Sequence, residues 1–186
     1  MKTLEEAVLV ELAVSENDQR AYAELVNRHQ SNLRYSMRQL TNWNEALADD
    51  LTQDTFIQAF KELHRFRKEA KFSSWLYRIG YNVFLQYVRK KQLDTQSIDD
   101  DPYIANQVAD PRQGDETSAL HQKVAKLLSM LEPERRSVLH LFLHRQNTQQ
   151  EISDIMGIPL GTVKTHINRG RSALQQSLQG WQEKTL

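Results

Sequence analysis

The side chains best suited to chemistry lie toward the C-terminus, in NTQQEISDIMGIPLGTVKTHINRGRSALQ, residues 147–175. Helical spacing from residue 160 gathers Lys164, Thr165, Asn168, Arg169, Arg171 and Ser172 on one face, with no acid among them. Side chains of these types hydrogen-bond base edges and phosphates; they are not a set that makes or breaks covalent bonds. Val163, Ile167 and Leu174 take the opposite face, with Gly170 allowing close approach. The stretch before it positions that helix. Thr148 and Glu151 have capping-box spacing. Ile152, Ile155 and Met156 form an apolar side, Gly157 fits a left-handed helix end, and Pro159 suits a new start. Cap, turn, apolar face and charge together describe a helix-turn-helix whose second helix enters a DNA major groove. The plainer alternative is a helical hairpin with a solvated basic face.

A second chemical stretch is FKELHRFRKEAKFSSWLYRIGYNVFLQYVRKK, residues 60–91. From Phe66 to Tyr87 it holds Phe66, Phe72, Trp75, Tyr77, Tyr81, Phe84 and Tyr87, seven of the fifteen aromatic residues. Arg67, Lys68, Lys71, Arg78, Arg89, Lys90 and Lys91 interleave with or follow them. That mixture suits single-stranded nucleic acid, because cations follow phosphates and unstacked bases lie on rings. Phe72, Trp75, Leu76, Ile79 and Val83 also fall at core spacing, so most of these rings are expected inside. In the helix before it, Phe56, Ala59, Phe60 and Leu63 should face the core. Asp50, Gln53, Asp54, Ile57 and Lys61 form a second face, where an apolar Ile57 in a polar stripe suggests a protein partner.

Other chemistries find little support. His140 and His144 have metal-ligand spacing, but no intervening Glu or nearby Cys or carboxylate completes a site, so packing histidines are expected. The chain has no cysteine, which excludes a disulfide framework and a thiol nucleophile. It has no phosphate-binding glycine loop and no nucleophile paired with a base, and it calls for no cofactor or metal. No segment is long and apolar enough to span a membrane, and the acidic N-terminus is unlike a signal peptide. A soluble, cytoplasmic protein without enzymatic activity is expected.

The elements that must position these faces are helical throughout, with no convincing strand pattern. The periodicity predicts helices over about 3–15, 18–40, 45–64, 73–91, 117–130, 133–145, 148–156 and 160–179. Between them, LDTQSIDDDPYIANQVADPRQGDE carries two prolines and many acids and reads as an extended linker. The expected architecture is all-α: two small helical domains, 1–91 and 117–186, joined by a flexible acidic linker, 92–116. Formal net charge is zero, with 24 basic and 24 acidic residues, yet it alternates along the chain. Residues 61–91 hold 9 Lys/Arg and 2 Asp/Glu, whereas residues 92–116 hold 1 and 7. Such local fields steer partners separately even when the total is neutral.

Three segments, DLTQDTFIQAFKEL with Asp50, FSSWLYRIGYN and EISDIMGIPLGTVKTHINRGRSAL, resemble the extracytoplasmic-function branch of the sigma-70 family, small bacterial RNA polymerase sigma factors. The resemblance covers nearly the whole chain, in order and spacing. It implies that residues 1–91 form a region 2 domain and residues 117–186 a helix-turn-helix region 4 domain. Asp50, Gln53, Asp54 and Ile57 would then dock on the clamp helices of core polymerase. Phe66, Arg67, Lys68, Lys71, Trp75, Arg78 and Asn82 would capture the melted −10 strand, and Lys90 and Lys91 would hold its backbone. Lys164, Thr165, His166, Asn168, Arg169 and Arg171 would lie near the −35 duplex. The acidic linker would run through the polymerase. An anti-sigma factor is a further partner that the family implies. Free of polymerase, the two domains are expected to move independently and to bind promoter DNA poorly. The family commonly has other residues at Tyr81, Gln86 and Gly170 and often an Arg near His166, and a glycine in the recognition helix costs up to ~1 kcal/mol against alanine. A stand-alone helix-turn-helix regulator is the rival reading. It would bind duplex without polymerase and would have no use for the 60–91 stretch.

Overall fold

The computed structural model describes residues 1–67, 70–96, 128 and 130–182. Among the described residues seven α-helices are placed: α1 (Glu6–Ser15), α2 (Gln19–Leu40), α3 (Glu45–Glu62), α4 (Phe72–Gln96), α5 (Pro133–Leu143), α6 (Gln149–Met156) and α7 (Leu160–Gln182). A 3-10 turn, Leu63–Arg65, follows α3. Among the described residues there is no strand. The expected linker lies outside the described residues except for 92–96, which continue α4, and so does most of the helix expected over 117–130.

Local chemistry sets the helix ends. The Asp18 carboxylate accepts the backbone N–H groups of Arg20 and Ala21 at the start of α2. The Asn44 side chain accepts the N–H of Leu47 at the start of α3. Each satisfies donors that the helix leaves orphaned. Between these helices Asn42 and Trp43 take positive φ, 55° and 62°, which reverses the chain within a few residues. The Trp43 ring meets the edge of Tyr35 there.

In the first half α2 lies against α1, α3 and α4. Leu25, Leu33, Met37, Leu51, Phe56, Leu76 and Phe84 fill the core. Gly80 lets α2 and α4 approach: a Cβ there would stand 2.8 Å from the Met37 Cε. Buried Thr52 and Thr55 satisfy their hydroxyls on the Ala48 and Leu51 carbonyls, both at 2.6 Å. In the second half α5 packs on α7 and α6 through Val138, Leu141, Ile152, Val163 and Ile167. Phe60, expected in the core, is instead 42% exposed. Its ring leans on Tyr22, centroids 5.0 Å apart, while Phe56 and Ala59 are buried.

The two halves lie against each other in this structure. Both α5 and α6 pack on α4, α5 also packs on α2, and one apolar core runs through all of them. The reason lies in side chains whose partners are far away in sequence. Arg136 donates to the Leu40 carbonyl at 2.8 Å and to Asn42 Oδ1 at 3.3 Å, capping α2 from α5. His140 Nδ1 meets Gln39 Oε1 at 2.9 Å. The Arg145 guanidinium sits over the Tyr77 ring, 4.4 Å from its centroid.

Candidate nucleic-acid and protein interfaces

The stripe on α3 follows from helical geometry. Asp50, Gln53, Asp54 and Ile57 recur at i, i+3, i+4 and i+7, and all four are exposed. Ile57 is 45% exposed and, with Phe60, gives the stripe an apolar centre. The stripe borders a groove of about 520 Å³ between α3 and α4. Asp54, Ile57 and Lys61 line one wall, and Asn82, Gln86 and Lys90 line the other. Asn82 and Lys90, expected to meet the −10 strand, thus share a groove with the residues expected to meet the polymerase.

The rest of the −10 set collects elsewhere. A second groove, about 420 Å³, takes in Phe66, Arg67, Lys71, Trp75 and Arg78. Phe66 is buried, so its ring is a wall of the groove rather than a free platform. It lies 5.1 Å from Trp75 and 5.8 Å from Phe72, and the three rings brace one another. Trp75 is half-buried, while Arg67, Lys71 and Arg78 are exposed. An aromatic floor with three cations at its rim fits an unpaired base and its phosphates. Lys68 lies outside the described residues, and Lys91 is half-buried on α4. The sequence did not point to what closes this groove on its other side: Glu151, Asp154 and Ile155 of α6. No local pattern reveals that approach, since it joins two halves of the chain.

The helix-turn-helix is built as its sequence dictates. Thr148 Oγ1 accepts the Glu151 N–H at 3.2 Å, and the Glu151 carboxylate accepts the Thr148 N–H at 2.8 Å. The Thr148 backbone N–H foremost, and then the Thr148 hydroxyl donating at 3.1 Å, hold the Glu151 carboxyl below its usual range, and Lys71 adds to the effect. Gly157 ends α6 at φ 66° and ψ 28°. Ser153 donates to the Ile158 carbonyl at 2.6 Å across the turn. Pro159 sits one residue before α7, where its carbonyl accepts the Val163 N–H at 3.1 Å. Val163, Ile167 and Gly170 are buried, which turns Lys164, Thr165, Asn168, Arg169 and Arg171 outward. His166 is half-buried, its Nδ1 enclosed without a hydrogen-bond partner. The Thr165 hydroxyl donates to the Gly161 carbonyl at 2.9 Å, and Arg171 leans toward the Phe142 ring at 5.8 Å. A Cβ on Gly170 would stand 2.3 Å from Leu139 Cδ1, so glycine is what lets α7 settle on α5.

His140 and His144 stack, ring centroids 5.3 Å apart. His140 is buried, and desolvation, then His144 and Arg145, push its pKa down to about 3. A neutral ring bonded to Gln39 and packed on Tyr81 is a core side chain. Among the described residues no three His, Cys, Asp or Glu side chains gather as a metal site would require. Among the same residues no helix is long and apolar enough to cross a membrane.

A helical protein with an outward basic recognition helix, a cationic aromatic groove and a separate half-apolar stripe defines a two-module nucleic-acid-binding class. Comparison with known proteins narrows it. The family model of Sigma-70 region 2 matches residues 25–93, and that of Sigma-70, region 4 matches residues 121–174. The ECF RNA polymerase sigma factor SigW of Bacillus subtilis is 31% identical over 175 residues, covering 89% of this chain and 92% of that protein. The ECF RNA polymerase sigma-E factor of Escherichia coli K12 is 28% identical, covering 95% of each. The structure of CnrH in complex with the cytosolic domain of CnrY superposes with a TM-score of 0.68 at 26% identity, covering 94% of this chain and 97% of that one. The chain belongs to the sigma-70 family, among its extracytoplasmic-function sigma factors.

Proposed function

We propose that this chain directs bacterial RNA polymerase to promoters, with its three surfaces dividing the work. The α3 stripe of Asp50, Gln53, Asp54 and Ile57 docks on the clamp helices of the core enzyme. The groove of Arg67, Lys71, Trp75 and Arg78, walled by Phe66, holds an unpaired base of the melted −10 strand. Lys68, Asn82, Lys90 and Lys91 serve the adjoining backbone. Lys164, Thr165, His166, Asn168, Arg169 and Arg171 read the −35 duplex. The protein acts in the cytoplasm and catalyses no bond chemistry. Melting is driven because the groove binds the open strand and not the duplex, so binding shifts the equilibrium toward opening. An anti-sigma factor that covers these surfaces fits this reading as a partner; CnrH was itself solved in complex with another protein, the cytosolic domain of CnrY.

The observation that carries this reading is the cationic aromatic groove in a chain that also presents an outward basic recognition helix. A stand-alone duplex-binding regulator has no use for such a groove. The test is reconstitution with bacterial core polymerase on genomic DNA, with start sites mapped. Initiation at specific sites only when both are present is the expected result. Tight duplex binding by the chain alone, with polymerase indifferent to it, would overturn the reading.

A further inference from the structure

We infer that Glu6 of α1 and His29 of α2 are positioning residues for the Trp75 groove: together they hold, from behind, the ring stack on which an unpaired base rests. The inference rests on the reading of that groove as the strand-binding site. His29 Nε2 lies 2.9 Å from Glu6 Oε2. A carboxylate only accepts, so Nε2 carries the proton in this bond, and the bond fixes which way the imidazole faces. The ring so fixed packs on Phe72, centroids 5.4 Å apart and planes tilted by 51°. Phe72 is buried and stands edge-on to Phe66 at 5.8 Å, with Trp75 at 5.6 Å. A chain of contacts thus runs from an acid on α1 to the half-buried Trp75 ring.

The Glu6 side chain is 41% exposed, and a pair so open to water adds little to global stability. Its place is nonetheless set with some care. Arg28, held by Glu24 at 3.1 Å, donates to the carbonyls of Lys2 at 3.0 Å and Leu4 at 2.8 Å. Those bonds fix where α1 begins, and so where Glu6 stands relative to His29 on the next position of α2. The same helix also packs on the 3-10 turn. There the Leu63 carbonyl accepts the Phe66 N–H at 3.0 Å, which delivers the Phe66 ring to the stack. Helix α1 therefore supports the groove at two points, while neither Glu6 nor His29 lines it. Stacking depends on the plane and depth of the receiving ring. Side chains that lock that ring act on base capture without touching the base.

The experiment uses the full chain, reconstituted with bacterial core polymerase on a promoter found by start-site mapping. Open complexes are scored by the permanganate reactivity of unpaired thymines. Glu6→Ala is expected to lower open-complex formation about three- to tenfold, a part of the stacking that Trp75→Ala forfeits outright. Glu6→Gln keeps an oxygen that accepts from His29 and should restore most of the loss. His29→Ala should lose at least as much as Glu6→Ala. Glu5→Gln removes the neighbouring charge, which makes no cap bond, and is expected to change nothing. The deciding variant joins Glu6→Ala to Trp75→Ala. Residues that act through one ring lose their effect once it is gone, so the double variant should open the promoter no worse than Trp75→Ala alone. Additive losses would mean that Glu6 acts by another route, and the inference fails. It fails as well if Glu6→Ala and His29→Ala open the promoter as the parent does, or if Glu6→Gln loses as much as Glu6→Ala. A fall in affinity for core polymerase or in the unfolding midpoint that tracks the loss of opening would make the pair merely structural and also overturns the inference. If Trp75→Ala itself opens the promoter as the parent does, the groove is not the strand site and the underlying reading fails.

Discussion

The two nucleic-acid surfaces follow one chemical rule and differ in what shapes them. On α7 a buried apolar stripe, Val163, Ile167 and Gly170, leaves the opposite face no role but to meet solvent or DNA. That surface is complete within one helix and its neighbours. At the Trp75 groove the cations come from one half of the chain, and the acids facing them come from the other. A surface built on one element can be read from periodicity and stands open. A surface assembled from distant elements can be covered.

Breaking the open surface should have the largest effect. Lys164→Glu with Arg169→Glu replaces two attractions to DNA by two repulsions. Each lost contact is worth ~1–3 kcal/mol, so −35-dependent initiation should fall on the order of a hundredfold or more. The measurement is transcription by the reconstituted polymerase, with thermal unfolding unchanged because both residues are exposed. An undiminished rate would remove α7 from promoter reading. The covered surface should respond more weakly and separately. Trp75→Ala forfeits base stacking of ~1–3 kcal/mol, a loss of about 10- to 100-fold in open-complex formation. Duplex binding through α7 should not change. If both variants fail at the same step, the division between the two surfaces is wrong.

How much of this was legible depends on the range of the contacts. The capping box at Thr148, the left-handed Gly157 and the buried Val163 and Ile167 are local matters, and the sequence predicts them residue by residue. Phe60 misled because periodicity cannot tell the middle of a buried face from its edge. His140 was expected to pack inside, but nothing local showed what it or Arg136 would meet, since their partners Gln39 and Leu40 lie about a hundred residues away. Gly170 is intermediate. The sequence suggested close approach there, and the structure identifies what approaches. Alanine gains up to ~1 kcal/mol in helix propensity, but its Cβ must displace Leu139 at a cost of ~1–3 kcal/mol. Gly170→Ala should therefore lower the unfolding midpoint of the α5–α7 half, and adding Leu139→Val should restore it in part. A stabilised Gly170→Ala variant would show that α7 does not sit so close.

The smallest effect sharpens the comparison most, because the covered surface should respond to pH through one buried group. His140 is held neutral between α5, α2 and α4, with its pKa down to about 3. The groups facing it are His144 and Arg145 from its own segment, Gln39 of α2, and Tyr81 of α4. Tyr81 is itself pushed well above its usual range by burial, so it stays a neutral phenol throughout. When the halves part, His140 returns toward the ordinary histidine value of about 6.5. A depressed pKa in the closed state means that closure binds fewer protons than opening. The contribution of neutral His140 to closure is full above about pH 6.5 and is lost progressively as pH falls toward 3. At pH 5.5 the opening equilibrium should have shifted by about tenfold relative to pH 7.5. Dyes on Asn27→Cys and Gln175→Cys would report it as a growing separation, and strand binding to the Trp75 groove should tighten in parallel. His140→Gln should abolish the pH response, whereas duplex binding by α7 in the same variant should be unaffected. A pH response that survives His140→Gln would assign the titration to another group and leave the interface without this trigger.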